Sequence, residues 1–235
     1  MRIDLQKIKL SLRTNSRKSV NAWKQSDVFR FVDTAVSNRF RKKLTNHGFS
    51  ILCSNCIGGT IYHRLGEEFL TPTINMYISQ PDFIEFCLHL DHFLSEELVF
   101  IDSDEPCPVA KLAGSETEDI PSITIKFIHF KTEKDARATW NRRRTRINKD
   151  NLYIIMYKLD GVTVEQLKSL ESVSCNNKIV LTSAPLPEIS WSYYIKPIMS
   201  HQYPYNYMEK DLFGVRYFEK KWDFVSFLNQ KGNDR

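Results

Sequence analysis

The sequence predicts an α/β domain: a mainly parallel sheet, Rossmann-like or flavodoxin-like, with helices on both faces, an N-terminal helix and an aromatic-rich C-terminal extension. Three observations predict it. Strand-type and helix-type segments alternate at least four times, as in parallel sheets built from βα units. Leu152–Tyr157 has the composition of a strand buried on both faces. The turn Ser54-Asn55-Cys56-Ile57-Gly58-Gly59 joins a strand to a helix, at the end of the sheet where such folds place ligands.

Residues 1–26 read as a polar, basic arm and residues 27–235 as a single domain. From Asp27 to Leu44, the residues Val28, Val32, Ala35, Val36, Phe40 and Leu44 recur at helical spacing, and Gly48 suits a left-handed cap. Phe49–Cys53 reads as the first strand, Thr60–Leu65 as a helix stopped by Gly66, and Thr73–Ile78 as a second strand. Ser79 and Pro81 start a helix, and Asp82–Leu94 carries Phe83, Phe86, Cys87, Leu90 and Leu94 on one face. Residues 101–121, rich in acid, Pro and Gly, read as loop with room for a short strand. Ile123–Phe130 alternates as a strand, and Thr132 caps a helix running to Ile147 with Glu133 and Asp135 in its first turn. After Leu152–Tyr157 come an Asp160-Gly161 turn, a helix over Val164–Leu170 and a strand over Lys178–Thr182. The aromatic tail from Trp191 to Phe227 wraps the sheet edge and closes in a short helix near Trp222–Leu228.

Composition narrows the class. With 42% hydrophobic and 26% charged residues in 235, the chain has enough apolar material for one core and is not disordered. No apolar run approaches the roughly 20 residues that span a bilayer, and Met1-Arg2-Ile3-Asp4 lacks a signal-peptide core, so the expected location is cytoplasmic. Five scattered cysteines predict reduced thiols. Residues 1–50 hold 12 basic and 3 acidic side chains, a net of +9, against 21 basic and 25 acidic, a net of −4, in the remainder. That asymmetry suits peripheral contact with an anionic membrane surface; the bland alternative is a solvated helix face.

The candidate site is the turn after the first strand. Cys56 there could be a nucleophile whose pKa is lowered by the helix start, Asn55 a donor to an oxyanion, and Ser54, Gly58 and Gly59 an anion-facing backbone. The bland alternative packs Cys56 under the turn. The turn matches neither a dinucleotide fingerprint nor a P-loop nor a G-x-S-x-G elbow. Cys53 and Cys56 have C-x-x-C spacing, but Cys53 belongs inside the strand. His129, at the end of the third strand, is the candidate base, with His63 weaker. Arg142 and Arg143 could clamp phosphate, Trp140 could stack on a sugar, and Asp160 could bind a sugar hydroxyl. For each, a solvated helix end, a core aromatic or an ordinary turn is the alternative. His89 and His92 lack a third ligand, so no metal site is expected. No nucleic-acid motif accompanies the arginines, so no nucleic-acid partner is expected.

Phe49–Gly59, Thr73-Ile74-Asn75-Met76 and Trp140-Asn141-Arg142-Arg143 together resemble the domain-of-unknown-function family 1919, over about residues 36 to 228. Members are commonly labelled exopolysaccharide-biosynthesis proteins or cell-wall acetyltransferases. The Ser54-Asn55-Cys56 turn also resembles the Gly-Asn-Cys-Gln turn of capsule-polysaccharide acetyltransferases, with Ser in place of Gly and Ile57 in place of Gln. The resemblance implies acyl transfer from coenzyme A to a hydroxyl of a sugar or lipid-linked sugar, with coenzyme A as co-substrate and no tightly bound cofactor. The alternatives are a nucleotide-sugar glycosyltransferase, in which the arginines hold the diphosphate, and a non-catalytic module recruited through the basic arm.

Overall fold

The structure is a computed structural model and describes residues 23–157, 161–196, 208 and 210–230. Of the basic arm, residues 1–22 lie outside the described residues. Trp23 already belongs to the body, because its indole N–H donates to Leu212 O at 3.0 Å.

Helix α1 (Asp27–Arg41) starts at Ser26, whose hydroxyl accepts from Phe29 N. Strand β1 (Ser50–Cys53) follows, then α2 (Ile57–Leu65), closed by Gly66 at φ 74°. The helix starts three residues earlier than its spacing suggests, so Gly58 and Gly59 lie within it. Their reason is close approach to the sheet. A Cβ on Gly58 would stand 2.7 Å from Cys53 Cβ, and one on Gly59 would stand 3.0 Å from Ile74 Cγ2. Gly58→Ala is therefore expected to cost about 1–3 kcal/mol, the scale of overpacking a tight core. Chemical denaturation checks it, and an unchanged midpoint would count against the packing role.

The chain then leaves the parallel sheet and builds a second one. β2 (Tyr77–Ile78), α3 (Gln80–Leu88), α4 (Leu90–Ser95), β3 (Val99–Ile101), β4 (Val109–Leu112) and β5 (Ile123–Lys126) precede α5 (Glu133–Arg144). The chain returns through β6 (Leu152–Tyr157), α6 (Val164–Ser169), β7 (Asn177–Thr182) and β8 (Ser192–Tyr194), and ends in α7 (Tyr217–Lys221) and α8 (Phe224–Asn229). One sheet is wholly parallel in the order β1-β6-β7-β8, and the other wholly antiparallel in the order β2-β5-β4-β3.

This corrects the reading of one mainly parallel sheet. The segments over 73–78 and 123–130 contribute strands to the antiparallel sheet: 77–78 pairs with 125–126, 109–112 pairs with 123–126 on the other side, and 99–101 pairs with 109–111. The expected helix over 82–94 is two helices broken at His89 (φ −115°, ψ 41°). The parallel strands run in sequence order without reversal, so these four form no doubly wound crevice.

Both faces of the parallel sheet are covered. Ile51, Cys53, Tyr153, Ile155, Tyr157, Ile179 and Leu181 pack with α2, α7 and α8. Leu52, Ile154, Met156 and Val180 pack with α3, α5, α6 and the inner face of the antiparallel sheet. β1 is an edge strand, and its outward donors are met by side chains: Ile51 N–H by Tyr62 Oη at 3.0 Å, and Cys53 N–H by Thr73 Oγ1 at 3.2 Å. Such capping blunts the edge against pairing with another chain.

The tail is held by charge as well as aromatic packing. Arg64 of α2 is buried; its Nε and one terminal nitrogen each donate to Glu219 at 2.8 Å, and the other donates to Asp33 Oδ1 at 2.8 Å and Ser37 Oγ at 3.0 Å. The nitrogen facing Glu219 also donates to Gly214 O at 2.5 Å. Burial pushes the Asp33 carboxyl up, but hydrogen bonds from Lys210 and Arg64 outweigh it and hold the group below its usual 3.8. A depressed folded pKa contributes stability above the unfolded value and loses it as pH falls through the folded value. Asp33→Asn is therefore expected to flatten the acid limb of stability below pH 3.8. Melting curves between about pH 2 and 6 check it, and an unchanged acid limb would contradict it.

Candidate functional site

The carboxyl ends of β1 and β6 open into a cleft of about 320 Å³, lined by Ser54, Asn55, Cys56 and Ile57 from the turn, by Met76, Tyr77, Ile78 and Ile128 from the antiparallel sheet and its flanks, and by Gln80, Tyr157 and Met208. Most of this lining is apolar. The cleft exists because the two sheets meet here: the turn after β1 faces β2 and the loop after β5.

Asn55 shapes the turn. Its Oδ1 accepts Ile57 N–H at 2.8 Å and the Cys53 thiol at 3.4 Å. That fixes the oxygen toward α2. The amide nitrogen has no hydrogen-bond partner among the described residues. Ser54 is 6% exposed, and its buried hydroxyl also has no partner among the described residues. An orphaned buried hydroxyl costs about 1–3 kcal/mol, and the Ser54 oxygen lies beneath the cleft wall with almost no accessible surface, so a ligand atom reaches it only if the turn shifts.

The glycines do not form an anion cradle. Gly58 N–H donates to Cys53 Sγ at 3.3 Å, and both glycines are buried. Cys56 is exposed at the N-cap of α2 and makes no side-chain capping bond. Burial of its surroundings pushes its thiol above the usual 9.0, opposite to the lowering the helix start suggests. The cause is desolvation of the partly enclosed thiol, which disfavours the thiolate. Cys53 is fully enclosed, and burial lifts it to about 12. In the native protein at pH 8, alkylation is expected to reach Cys56 and spare Cys53 and Cys87. Peptide mapping reads the result, and labelling of Cys53 before unfolding would contradict the enclosed core.

The other sequence candidates separate. His129 is exposed in the turn after β5, so it belongs to the antiparallel sheet and not to the end of a parallel strand; its neighbour Ile128 is the residue that lines the cleft. Trp140 is fully buried, packed edge-on to Phe86 at 6.2 Å, so it stands in the core rather than ready to stack on a sugar. Arg143 is 9% exposed, donates to Ile74 O at 2.9 Å and lies 5.0 Å from the Phe69 ring. It braces the segment behind α2 instead of entering the cleft. Arg142 is exposed and its side chain has no hydrogen bond or ion pair among the described residues. Asp160 lies outside the described residues. His63 is exposed and meets the Phe69 ring edge-on at 5.1 Å.

Sequence reasoning missed the walls. Tyr157 was legible, since it ends the strand paired with β1. Met76, Tyr77, Ile78 and Ile128 were not, because their place depends on the second sheet.

The chain belongs to the family described as Domain of unknown function (DUF1919), whose profile matches residues 28–229. It is similar to a protein of Haemophilus influenzae (strain Rd) described as "Uncharacterized protein", 30% identical over 194 residues that span 83% of this chain and 90% of that one. No helix among the described residues is long and apolar enough to cross a membrane.

Proposed function

We propose that this domain transfers an acyl group from coenzyme A to a hydroxyl of a sugar or lipid-linked sugar during surface or exopolysaccharide assembly, and that the cleft at Ser54 holds the thioester. The observation that carries this reading is an apolar cleft bearing two unused polar atoms on one side, the Ser54 hydroxyl and the Asn55 amide. Apolar walls suit the acyl group and its thioester arm. The two donors suit the carbonyl oxygen, which gains negative charge as it is attacked. The site's position beyond the carboxyl ends of parallel strands is the part of a Rossmann-like plan that bears on function.

In this reaction the acceptor oxygen bonds to the thioester carbon, the C–S bond breaks, and the hydroxyl proton ends on the departing sulfur, giving free coenzyme A and the ester. His129 does not line the cleft, so no wall residue is assigned to carry that proton. Cys56 is a wall thiol, because a nucleophile needs a lowered pKa or an adjacent base. Cys56→Ala is expected to keep at least about half the wild-type turnover; a loss of about 10³-fold, as when a true nucleophile is removed, would overturn that role. A thermal-shift screen separates the readings. Acetyl-coenzyme A is expected to raise the melting temperature. A shift with nucleotide sugars alone would favour glycosyl transfer, and none with either would favour a binding module.

A further inference from the structure

We propose that the groove between α1 and the C-terminal helices α7 and α8 binds a phosphate-bearing anion through Arg39, Lys43, Lys220 and Lys221. This groove is about 520 Å³, shares no lining residue with the Ser54 cleft, and is independent of the reading given to that cleft. Arg39 and Lys43 lie four residues apart, at the end of α1 and just beyond it, and Lys220 and Lys221 close α7 opposite them.

The charges in the groove do not cancel. Two acids line it; Glu219 is engaged elsewhere, and Asp223 is held by Ser226 and also feels the charge of Lys43. Glu219 has no exposed side-chain surface and is held by Arg64 and by Arg216. Asp223 caps α8, accepting Ser226 N–H at 3.1 Å and Ser226 Oγ–H at 2.8 Å. On the basic side, Lys220 pairs with Asp211, and Lys221 lies 5.6 Å from the Tyr217 ring centre. The side chains of Arg39 and Lys43 make no hydrogen bond or ion pair among the described residues.

A favourable helix dipole accounts for basic residues at the end of one helix. It does not account for Arg39 and Lys43 standing across one concavity from a second helix end that carries Lys220 and Lys221. A concavity with more basic than acidic groups concentrates the field and attracts an anion. The floor adds a flat surface. Tyr193 is fixed by its Oη–H donating to Lys221 O at 2.6 Å, and Phe40 and Trp222 lie beside it. A phosphate ester with an attached ring or glycerol fits this combination better than a bare ion. Its source is either a soluble sugar phosphate or a phospholipid headgroup.

Arg39 and Lys43 are the residues to change, because both are exposed and neither holds the fold together. The full chain is titrated with inorganic pyrophosphate at low salt, and its binding to phosphatidylglycerol vesicles is compared with phosphatidylcholine vesicles. The double variant Arg39→Ala/Lys43→Ala is expected to melt as wild type does and to bind about tenfold more weakly or worse, the loss of at least one charge-assisted contact. The exposed pair Lys131→Ala/Lys134→Ala, away from the groove, is expected to bind as wild type. A pyrophosphate response without vesicle binding assigns a soluble ester. Vesicle binding that the double variant loses, without a pyrophosphate response, assigns a lipid headgroup. Equal binding by wild type and Arg39→Ala/Lys43→Ala overturns the proposal, as does absence of binding to both probes.

Discussion

Arg64→Ala is expected to cost about 3–5 kcal/mol, the penalty for removing one partner from a buried charge network in which, among the described residues, only Arg216 then holds Glu219. Domains of this kind have total stabilities of about 5–15 kcal/mol, so the variant should accumulate poorly or unfold at low denaturant. The size follows from burial. The Arg64 and Glu219 side chains are 1% and 0% exposed, so water cannot replace the missing partner. The effect should also spread, because the guanidinium joins α1 through Asp33 and Ser37 to the tail through Gly214 and Glu219. The double variant Arg64→Met/Glu219→Leu tests the mechanism. It removes both charges and is expected to recover most of the loss, since apolar replacement of a buried pair is often neutral. Urea denaturation reads all three proteins. An Arg64→Ala midpoint close to wild type would show that the network does not fasten the tail.

Ser54→Ala is expected to act in opposite directions on stability and binding. The unliganded protein should gain about 1 kcal/mol, because the variant removes a buried hydroxyl that has no partner. Binding at the cleft should fall, because the same hydroxyl is the donor offered to the ligand. Sites that trade stability for function commonly show this pairing. Thr182→Val is the control. Its hydroxyl is also buried without a partner among the described residues, at the end of β7, but Thr182 does not line the cleft. It should stabilise without changing binding. If Ser54→Ala destabilises instead, the hydroxyl has a partner in solution and the cleft loses its main polar feature.

The parallel layer was largely legible in the sequence. Leu152–Tyr157 and Lys178–Thr182 are short and apolar enough to read as buried strands, and the structure has strands there, paired in parallel. The antiparallel layer was not. Its strands have two to four residues, and β3 and β4 flank or lie within a segment whose acids and prolines dominate any local reading. Only β2 is set off by helices, while β3, β4 and β5 follow one another directly, and the pairing partners reveal the layer. The turn after the first strand was legible as a turn, because a strand running into Asn-Cys-Ile-Gly-Gly must turn there. Its chemistry was not legible. Glycines that serve a phosphate and glycines that let a helix lie so close that a Cβ would stand 2.7 Å from Cys53 Cβ look alike in sequence. Trp140 shows the same ambiguity: an aromatic among arginines reads as a ligand platform, yet neighbouring Phe86 and Phe93 enclose it in the core. Arg64 went unread because an arginine among Ile61, Tyr62 and Leu65 has no local partner; its acids lie 31 and 155 residues away.

Calorimetric titration of acetyl-coenzyme A into wild type and Ser54→Ala tests the thioester cleft most directly. Saturable binding to wild type, weakened about tenfold or more in the variant, is the expected result. No heat with either protein, or the same affinity for both, would contradict it.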